Sequence, residues 1–502
     1  MKTVFRLALS VVAALALALP ATAQVTTGSM AGKVLNARQE GVGGANVIAI
    51  HLPSGTSYEA TTRADGTFVI VGMRVGGPYS VTVAYTGGGA AAFAPETQEN
   101  IEVILGVATD LVFNVKEIAV QETVTVTAQS DAVFASNRTG AATAVTRQEI
   151  ALLPTISNRI ESFVRLTPAM GGNMSFAGQD NRMNNITVDG SYFNNSFGLG
   201  NQPGDRTNVA PISMDAIEQV QVNVAPFDVR SGNFVGAGVN TVTRSGTNSF
   251  RGSGFYQWRD QGLVGKEAKD LPVNPGTFDF TNYGGWGAGP IVKNKLFFFG
   301  NAEKEETQQP GTTFRANTGG QAAAGSTTRV LASELDALSA TLASRFSYDT
   351  GPYQDYEHLT PGKRYLAKFD YNVSNRNKLS FRYSQLDSET DVLVSNSSSL
   401  GFGTRRGNTF GLNYQGSNYQ ILENRKSAIG ELNTVIGDDM SNSLIVGYNN
   451  SDESRSTRVG RFFPFVDILN QGTVYTSFGY EPFTPNNELR YEEFQLQNNF
   501  TK

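Results

Sequence analysis

The sequence predicts a mainly β protein in three parts: a small N-terminal sandwich, a compact α+β domain and a series of long strands typical of a membrane barrel. Three observations support this fold class. Short runs in which apolar and polar residues alternate recur along most of the chain. Glycine, with 53 residues, separates these runs, and aromatic residues make up 10% of the chain. Only residues 145–163 show a modest helical pattern, and Pro154 interrupts it.

Composition narrows the possible functions before any motif is considered. The 502 residues carry a net charge of −5 with only 17% charged residues, so no basic surface for nucleic acid is expected. Cysteine is absent and His51 and His358 are the only histidines, which argues against thiol, zinc and histidine chemistry. No hydrolase, metalloprotease or phosphate-binding motif occurs, and the spacing of Asp180, Asp189 and Asp205 fits no calcium loop. We therefore expect no enzyme activity, no cofactor and no metal site.

Residues 1–23 have the pattern of a secretory signal peptide. Lys2 and Arg6 precede the apolar run LALSVVAALALAL, and the sequence ATA follows Pro20. This small-x-small pattern predicts cleavage between Ala23 and Gln24. The apolar run is too short to favour a transmembrane helix, so the mature protein is expected to leave the cytoplasm.

Residues 24–117 predict the sandwich. Turn signals such as Asp65-Gly66 separate seven candidate strands, which read GSMAGKVL, ANVIAIHL, TSYEATT, GTFVIVG, PYSVTVAY, ENIEVIL and ATDLVFNV. Seven short strands in so short a segment are typical of an antiparallel β-sandwich. No cluster of aromatic residues suggests a surface that stacks on sugars, which favours a structural or docking role over glycan binding.

Residues 118–128 form a linker that contains a strand-like segment, QETVTVTA at 121–128. Valine and threonine alternate there with the period of a half-buried strand. An unpaired strand is a liability unless a partner is intended. We therefore interpret the segment as a site for a partner strand, although a last strand of the sandwich or a first strand of the next domain would show the same pattern.

Residues 129–250 predict the α+β domain. A polar region rich in Asn and Gly, GQDNRMNNITVDGSYFNNSFGLGNQPGDRTN, precedes AIEQVQVNVAPFDVR, which is typical of a helix end leading into a strand. Glycines in the following SGNFVGAGVNTVTRSGTNSF allow backbone segments to approach one another closely. Such a polar, glycine-rich domain suits a hydrated lumen better than an ordinary soluble core.

Residues 251–502 predict about eight strands of a transmembrane barrel. In RYLAKFDYN, Tyr365, Phe369 and Tyr371 lie on one face and Lys368 and Asp370 on the other, and KLSFRYS repeats the pattern. An apolar, aromatic outer face with a polar inner face is typical of such barrels, as are short turns on one side and long loops on the other. The segment NTFGLNYQ, residues 408–415, is also strand-like. The long, polar connections lie near residues 307–362, 388–422 and 453–488.

Taken together and in this order, the parts resemble a TonB-dependent outer-membrane receptor of the Oar-like type. Residues 24–117 resemble a carboxypeptidase regulatory-like domain, which has a carbohydrate-binding-like fold, and residues 129–250 resemble the plug domain of these receptors. The residues that match the plug motifs are Asn185, Val188, Asp189 and Gly190 of N-x-x-V-D-G, Ile217, Glu218 and Val220 of I-E-x-V, and Gly236 and Gly238 of the glycine-rich close. The resemblance implies that they are structural residues of the plug.

The same resemblance implies partners. In this family TonB, driven by its inner-membrane energising proteins, adds a short strand ahead of the plug to its own sheet. That segment, the TonB box, matches Glu122, Thr123, Val124, Thr125 and Val126. The resemblance further implies outer-membrane lipid around the barrel, N-terminal domains on the periplasmic side of a Gram-negative outer membrane, and an extracellular substrate such as a glycan or a peptide.

One departure from the family concerns the barrel. These receptors close about twenty-two strands, whereas this sequence predicts about eight and stops directly after one of them. We therefore expect a truncated barrel and a fragment of a longer receptor. The leading hypothesis is import of a solute with energy relayed by TonB. The alternative is an outer-membrane adhesion protein, or one that binds carbohydrate or protein, without active transport.

Overall fold

The computed structural model describes most of the chain, and the described ranges are residues 25–85, 93–117, 125–127, 141–153, 158–224, 232–265, 267–268, 271–272, 276–406, 408–437, 440–457 and 462–501. The fold is mainly β, as predicted. No helix within these ranges is long and apolar enough to cross a membrane.

All seven predicted strands of the sandwich are present, and an eighth strand comes from the linker. They are β1 (Gly28–Leu35), β2 (Asn46–His51), β3 (Thr56–Thr61), β4 (Thr67–Met73), β5 (Gly76–Ala84), β6 (Glu96–Val103), β7 (Ala108–Asn114) and β8 (Thr125–Thr127). One sheet has the order β4-β1-β7 and the other β3-β2-β5-β6-β8. The prediction that the sandwich is entirely antiparallel is wrong. The chain crosses between the sheets before β7, which therefore runs parallel to β1, and β8 runs parallel to β6.

The core of the sandwich lies between these two sheets. Val34, Phe68 and Phe113 contribute from the three-stranded sheet, and Val47 and Val81 from the five-stranded sheet. Because side chains alternate between the faces of a strand, the alternating sequence places these residues on the inner faces. Each fully buried side chain of this kind stabilises the fold by about 1.5–3 kcal/mol, so the sandwich has a core of its own.

The plug is an α+β domain with a five-stranded sheet in the order β11-β10-β13-β12-β9. Thr146 caps the first helix through a reciprocal hydrogen bond with Glu149. Short 3₁₀ turns connect the elements. The regular elements are β9 (Ala141–Thr146), α1 (Arg147–Leu152), α2 (Glu161–Val164), β10 (Asn185–Val188), β11 (Ser191–Tyr192), β12 (Ile217–Val224) and β13 (Ala237–Thr243).

The remaining strands form the barrel wall and its connections. They are β14 (Arg251–Asp260), β15 (Glu267–Ala268), β16 (Leu271–Pro272), β17 (Asp279–Val292), β18 (Leu296–Pro310), β19 (Arg315–Asn317), β20 (Thr327–Leu331), β21 (Glu357–Asn372), β22 (Asn377–Val392), β23 (Tyr419–Leu422), β24 (Asn424–Ile436), β25 (Met440–Asp452), β26 (Arg455–Ser456), β27 (Val466–Asn470), β28 (Thr473–Phe478) and β29 (Arg490–Thr501). Within the described ranges, eight of them make an open antiparallel sheet in the order β14-β17-β18-β21-β22-β24-β25-β29.

The wall has the two faces that the sequence predicts. Tyr365, Phe369 and Phe381 point outward, with 42–46% of their surface exposed. Leu366 and Lys368, at alternating positions of β21, are almost fully buried against the plug. An aromatic outer face of this kind suits lipid.

The three long connections pack together at one end of the wall, and we call residues 311–356, 393–418 and 462–489 the cap. Their shared core contains Val330 and Leu335 from the first connection, Tyr414 from the second, and Tyr475 and Phe478 from the third. These connections, which are polar overall in the sequence, therefore share a buried core that the sequence pattern did not indicate.

Two predictions fail within the cap. The helical pattern is not confined to residues 145–163, because α3 (Ala332–Phe346) is the longest helix of the described chain. It buries Leu335 and Leu342 on one face. NTFGLNYQ forms no strand. Its alternation instead reflects burial of Leu412 and Tyr414 in the cap core.

Candidate functional site

The predicted N-x-x-V-D-G motif forms a two-residue hairpin turn between β10 and β11. Asp189 has a φ of 46° and Gly190 a φ of 73°, and Asp-Gly is a favoured pair for the two left-handed positions of a type I′ turn. Val188 pairs with Ser191 across the turn. A β-carbon at Gly190 would lie 2.6 Å from Ile445 Cδ1 of the wall. The turn therefore brings a carboxylate to the boundary between the plug and the wall.

Asp189 is buried at this boundary and has partners on both sides. Its Oδ1 accepts a hydrogen bond from Thr243 N at 2.8 Å, and its Oδ2 accepts one from Thr243 Oγ1 at 2.6 Å. Lys368 Nζ lies 3.4 Å from Oδ1 and Arg382 Nη1 lies 3.3 Å from Oδ2. Burial alone would raise the pKa of Asp189, but Lys368, Arg382 and the hydrogen bonds from Thr243 outweigh it and lower that pKa.

The Asp189 carboxylate neutralises two like charges that lie side by side on the wall. Lys368 on β21 and Arg382 on β22 are directly opposite each other in the strand register, and like charges in that position are destabilising. Lys368 also donates to Thr243 O at 3.0 Å, and Arg382 donates to Val188 O at 3.1 Å. Removing one partner of a buried charge network costs about 3–5 kcal/mol. We call Asp189, Thr243, Lys368 and Arg382 the Asp189 seat.

Four other predicted plug residues lie inside the plug. Val188, Ile217 and Val220 are fully buried in its hydrophobic core. Asn185 is buried and donates from Nδ2 to Gly232 O at 3.1 Å. These positions have the contacts of structural residues.

The two predicted glycines lie where the chain packs tightly. A β-carbon at Gly236 would be 2.4 Å from Asn184 Oδ1, and one at Gly238 would be 3.0 Å from the Phe234 ring. Neither glycine has a positive φ. Close approach, rather than backbone conformation, is therefore the reason for glycine at both positions.

Glu218 lies at the end of the plug that faces the sandwich. Its carboxylate is 3.9 Å from Arg244 Nε, and the Arg244 guanidinium lies 3.8 Å above the Trp286 ring of the wall. Burial raises the pKa of Glu218, and Arg244, Arg74 and Arg147 offset this only in part. Because Arg74 belongs to the sandwich, Glu218 interacts with charges of both domains.

The sandwich docks on this end of the plug through backbone and amide contacts. Gln219 of β12 accepts a hydrogen bond from Leu105 N at 3.0 Å and donates one to Val103 O at 3.3 Å. Next to them, Val75 and Leu105 of the sandwich share a small buried cluster with Val242 of the plug.

Two contacts fix the sandwich to the wall at the side of the short turns. Asn372, next to the turn between β21 and β22, donates to Thr56 Oγ1 at 2.9 Å. Thr26, which precedes β1, donates from its hydroxyl to the buried Glu431 carboxylate. The sandwich therefore lies at the end of the wall opposite the cap.

Wall carboxylates hold the plug on the side of the cap, and sequence reasoning missed them. Glu423 accepts hydrogen bonds from Arg206 N at 2.8 Å and Thr207 N at 3.1 Å. Glu453 accepts one from Asn195 Nδ2 at 2.6 Å. The strand pattern does indicate inward-facing charges, such as Lys368. It cannot indicate which distant plug residue meets each of them.

A polar cleft of about 590 Å³ opens at the apex of the plug. It is lined mainly by charged and amide side chains, including Arg159, Asn173, Asp180, Arg182 and Asp205. Asp180 and Asp205 are paired with Arg182 and Arg159 respectively. With amides and paired charges of both signs, the cleft can form hydrogen bonds with a polar solute.

Several predicted residues lie outside the described ranges. They are Ala23 and Gln24 at the predicted cleavage site, and Glu122, Thr123 and Val124 of the predicted TonB box. Thr125 and Val126 of the same box lie on β8, which pairs with β6. The structure thus joins this part of the box to the sandwich, one of the alternatives that the sequence leaves open.

Two family models match the chain. The outer membrane beta barrel domain matches residues 242–502, which is more than half of the chain. The carboxypeptidase regulatory-like domain matches residues 29–116.

Among curated proteins, the chain is similar to the TonB-dependent transporter Oar of Myxococcus xanthus. The two are 30% identical over 227 residues, which cover 43% of this chain and 20% of that protein. The chain therefore spans about a fifth of this relative's length.

Among solved structures, the chain is similar to the outer membrane transporter YddB from Escherichia coli, with a TM-score of 0.49 and 11% identity. The similarity covers 72% of this chain and 45% of that one. The siderophore receptor PirA from Acinetobacter baumannii has a TM-score of 0.41 and 14% identity over 72% of this chain and 44% of that one.

Proposed function

Because the chain belongs to the outer membrane beta barrel domain family and lies in a Gram-negative outer membrane, we propose that it acts as a TonB-dependent receptor. It binds an extracellular solute and imports it with energy relayed by TonB. The observation that carries this proposal is the Asp189 seat, through which a separate plug domain is held by buried ion pairs against the inner face of the wall.

The arrangement of the domains supports a direction of transport. The cap and the apex cleft lie at one end of the wall, and the sandwich lies at the other end, beside the short turns. Long loops face the outside and short turns the periplasm in barrels of this class. The solute therefore enters from the cap, and the sandwich with its linker faces TonB.

The apex cleft is the proposed site for the solute. Its amide and charged side chains suit a ligand with many hydrogen-bonding groups, such as a glycan or a peptide. The cap covers the same end of the wall and has a core of its own.

The linker is the proposed contact with TonB. Glu122, Thr123, Val124, Thr125 and Val126 provide a strand that TonB adds to its own sheet, since strand addition needs only an accessible backbone edge and suitable alternate side chains. The linker leads directly into the plug, so a pull on it is transmitted to the plug.

Disulfide trapping tests this proposal because the chain contains no cysteine. Single cysteines are placed at each position from 121 to 128 of the full chain, and a TonB C-terminal domain with one cysteine is added. We expect trapping at residues 122–126, with efficiency that alternates along the strand. An absence of trapping at every position of a correctly folded chain would contradict the proposal.

A second candidate function is binding at the cell surface without transport. The compact cap favours it, because a structured extracellular unit can recognise a glycan or a protein on its own. Cells that lack TonB distinguish the two functions. A receptor of the first kind loses uptake while it retains surface binding, whereas an adhesion protein is unaffected.

A further inference from the structure

The linker strand β8 extends the larger sheet of the sandwich. Thr125, Val126 and Thr127 pair in parallel with Thr97, Gln98 and Glu99 of β6, in that order. Without β8, this part of β6 would be a sheet edge with unpaired donors and acceptors, which recruits another strand. The sandwich therefore holds the C-terminal part of the predicted TonB box in an extended conformation.

Only one edge of β8 is used in this way. It is the last strand in the order β3-β2-β5-β6-β8, so within the described ranges its second edge meets no other strand. A β-strand presents hydrogen-bonding groups along both edges. Among the described residues, the second edge of β8 thus has no partner strand, and it can accept a strand of another molecule.

The position of β8 keeps this edge away from the plug. The plug contacts the far end of β6, where Val103 and Leu105 bond to Gln219. Thr97 lies six residues before Val103, which at about 3.3 Å per residue is a distance of about 20 Å along the strand. The pairing with β8 therefore lies on the side of the sandwich that points away from the plug.

We propose that the sandwich presents β8 as a preformed edge strand, to which the sheet of the TonB C-terminal domain is added without release of β8 from β6. This inference rests on the proposed function and assigns a role to the sandwich within it. Because β6 already holds the strand extended, the partner orders fewer residues when it binds. Preorganisation of this kind increases affinity.

A reversible lock between β6 and β8 tests the proposal. Glu99 and Thr127 are register partners, so Glu99→Cys and Thr127→Cys are combined in the full chain, which has no other cysteine. Affinity for the purified TonB C-terminal domain is measured with the disulfide oxidised and reduced. Combining Glu99→Cys with Thr125→Cys gives a control pair that is out of register by two residues and should oxidise poorly.

We expect the registered pair to oxidise readily and the oxidised chain to bind the TonB domain within about threefold of the reduced chain, or more tightly, because the strand stays preorganised. Two results would overturn the proposal. Binding that falls by more than about tenfold on oxidation and returns on reduction would mean that β8 must leave β6 first. Failure of the registered pair to oxidise in a folded chain would mean that β8 does not occupy this edge.

Two further measurements separate this inference from the proposed function. Absence of binding to the TonB domain by a free peptide of residues 118–130 and by both the oxidised and the reduced chain would defeat the proposed function itself. If the peptide binds the TonB domain but the oxidised chain does not, only the proposal that β6 presents β8 would be defeated. Analytical ultracentrifugation of the oxidised chain alone should show a monomer, and a dimer would mean that a second copy of the chain takes the free edge.

Discussion

At the residue scale, Asp189 shows how one side chain can belong to two domains. It is placed by the plug turn, yet two of its partners, Lys368 and Arg382, stand on the wall. The sequence motif identifies Asp189 as a plug residue, and the strand alternation identifies Lys368 as inward-facing. Their meeting is a tertiary contact between residues 179 positions apart, which no local pattern contains.

Replacing Asp189 should loosen the plug. Asp189→Asn leaves the charges of Lys368 and Arg382 buried without a counter-ion, so we expect the free energy of opening of β10 and β13 to fall by about 3 kcal/mol. Hydrogen exchange of these strands, measured by mass spectrometry on the full chain, should accelerate by about a hundredfold.

Asp180→Asn is the matched control for this change. Asp180 forms an ion pair with Arg182, and their side chains are 44% and 63% exposed respectively. Exposed ion pairs contribute only about 0–1 kcal/mol to the free energy of unfolding. Equal effects of the two substitutions would contradict the special role of Asp189.

The second residue-scale prediction concerns His51, which is buried in the sandwich. Burial, with a smaller contribution from Arg74, lowers the pKa of His51 to about 3. Its imidazole therefore stays neutral at pH 5, with Nδ1 2.7 Å from Ser54 Oγ. Since the folded pKa lies below the unfolded value of about 6.5, this group destabilises the sandwich as pH falls from 6.5 toward 3, by up to about 1.4 kcal/mol per pH unit.

Histidine-selective isotope labelling and NMR check this directly, because the chain has only two histidines. The signal that disappears in His51→Gln identifies His51. A protonation midpoint near 6.5 for that signal would show that the ring is not in the buried environment described here.

At the scale of elements, the β10–β11 turn has both a backbone and a packing requirement. Gly190→Ala introduces a β-carbon at a φ of 73° and 2.6 Å from Ile445 Cδ1. Gly72 also has a positive φ, of 68°, but no atom lies within 4 Å of a β-carbon there. We expect Gly72→Ala to cost about 1 kcal/mol and Gly190→Ala about 1–3 kcal/mol more. Hydrogen exchange of the strands next to each glycine measures the two effects.

The cap gives a second prediction at this scale. Arg405 is almost fully buried. It donates hydrogen bonds to the Asp467 carboxylate from Nε at 3.0 Å and from Nη2 at 2.7 Å. This ion pair joins the second connection of the cap to the third. Arg405→Ala should open the cap, and trypsin should then cleave the connections in intact cells at least about tenfold faster. The exposed pair of Arg315 with Asp355 provides the control, and Arg315→Ala should leave the rate unchanged.

The strands of the sandwich and wall were predictable because their signal is local. Alternation in segments such as GSMAGKVL and RYLAKFDYN reflects one buried and one exposed face. The cap was not predictable in the same way. Leu412 and Tyr475 are apolar residues in otherwise polar connections, and their burial depends on contact between different connections. Helix α3 did carry a readable signal, since Leu335, Leu338 and Leu342 recur at helical spacing.

At the scale of the whole molecule, the proposed function requires a pull by TonB to reach the plug through the order of the parts. The linker lies between the sandwich and the plug in the sequence. The plug is fixed to the sandwich at Gln219 and to the wall at the Asp189 seat and at Glu423. The order of these domains could be predicted from the sequence. The contacts between them could not, because they join side chains with no shared periodicity.

A removable disulfide between the plug and the wall tests whether a pull on the linker moves the plug out of the wall. Thr207 Oγ1 of the plug lies 3.0 Å from Ser388 Oγ of the wall, so Thr207→Cys with Ser388→Cys can join the two. Thr360 Oγ1 and Thr390 Oγ1, 2.6 Å apart on the neighbouring wall strands β21 and β22, allow a control disulfide that does not join the plug to the wall. The chain is held in a lipid bilayer and pulled through a TonB C-terminal domain attached to a force probe. We expect oxidation of the first pair to remove the extension beyond residue 207 and reduction to restore it, while the control pair has no effect. Equal extension with the first disulfide closed and open would mean that the pull does not move the plug out of the wall.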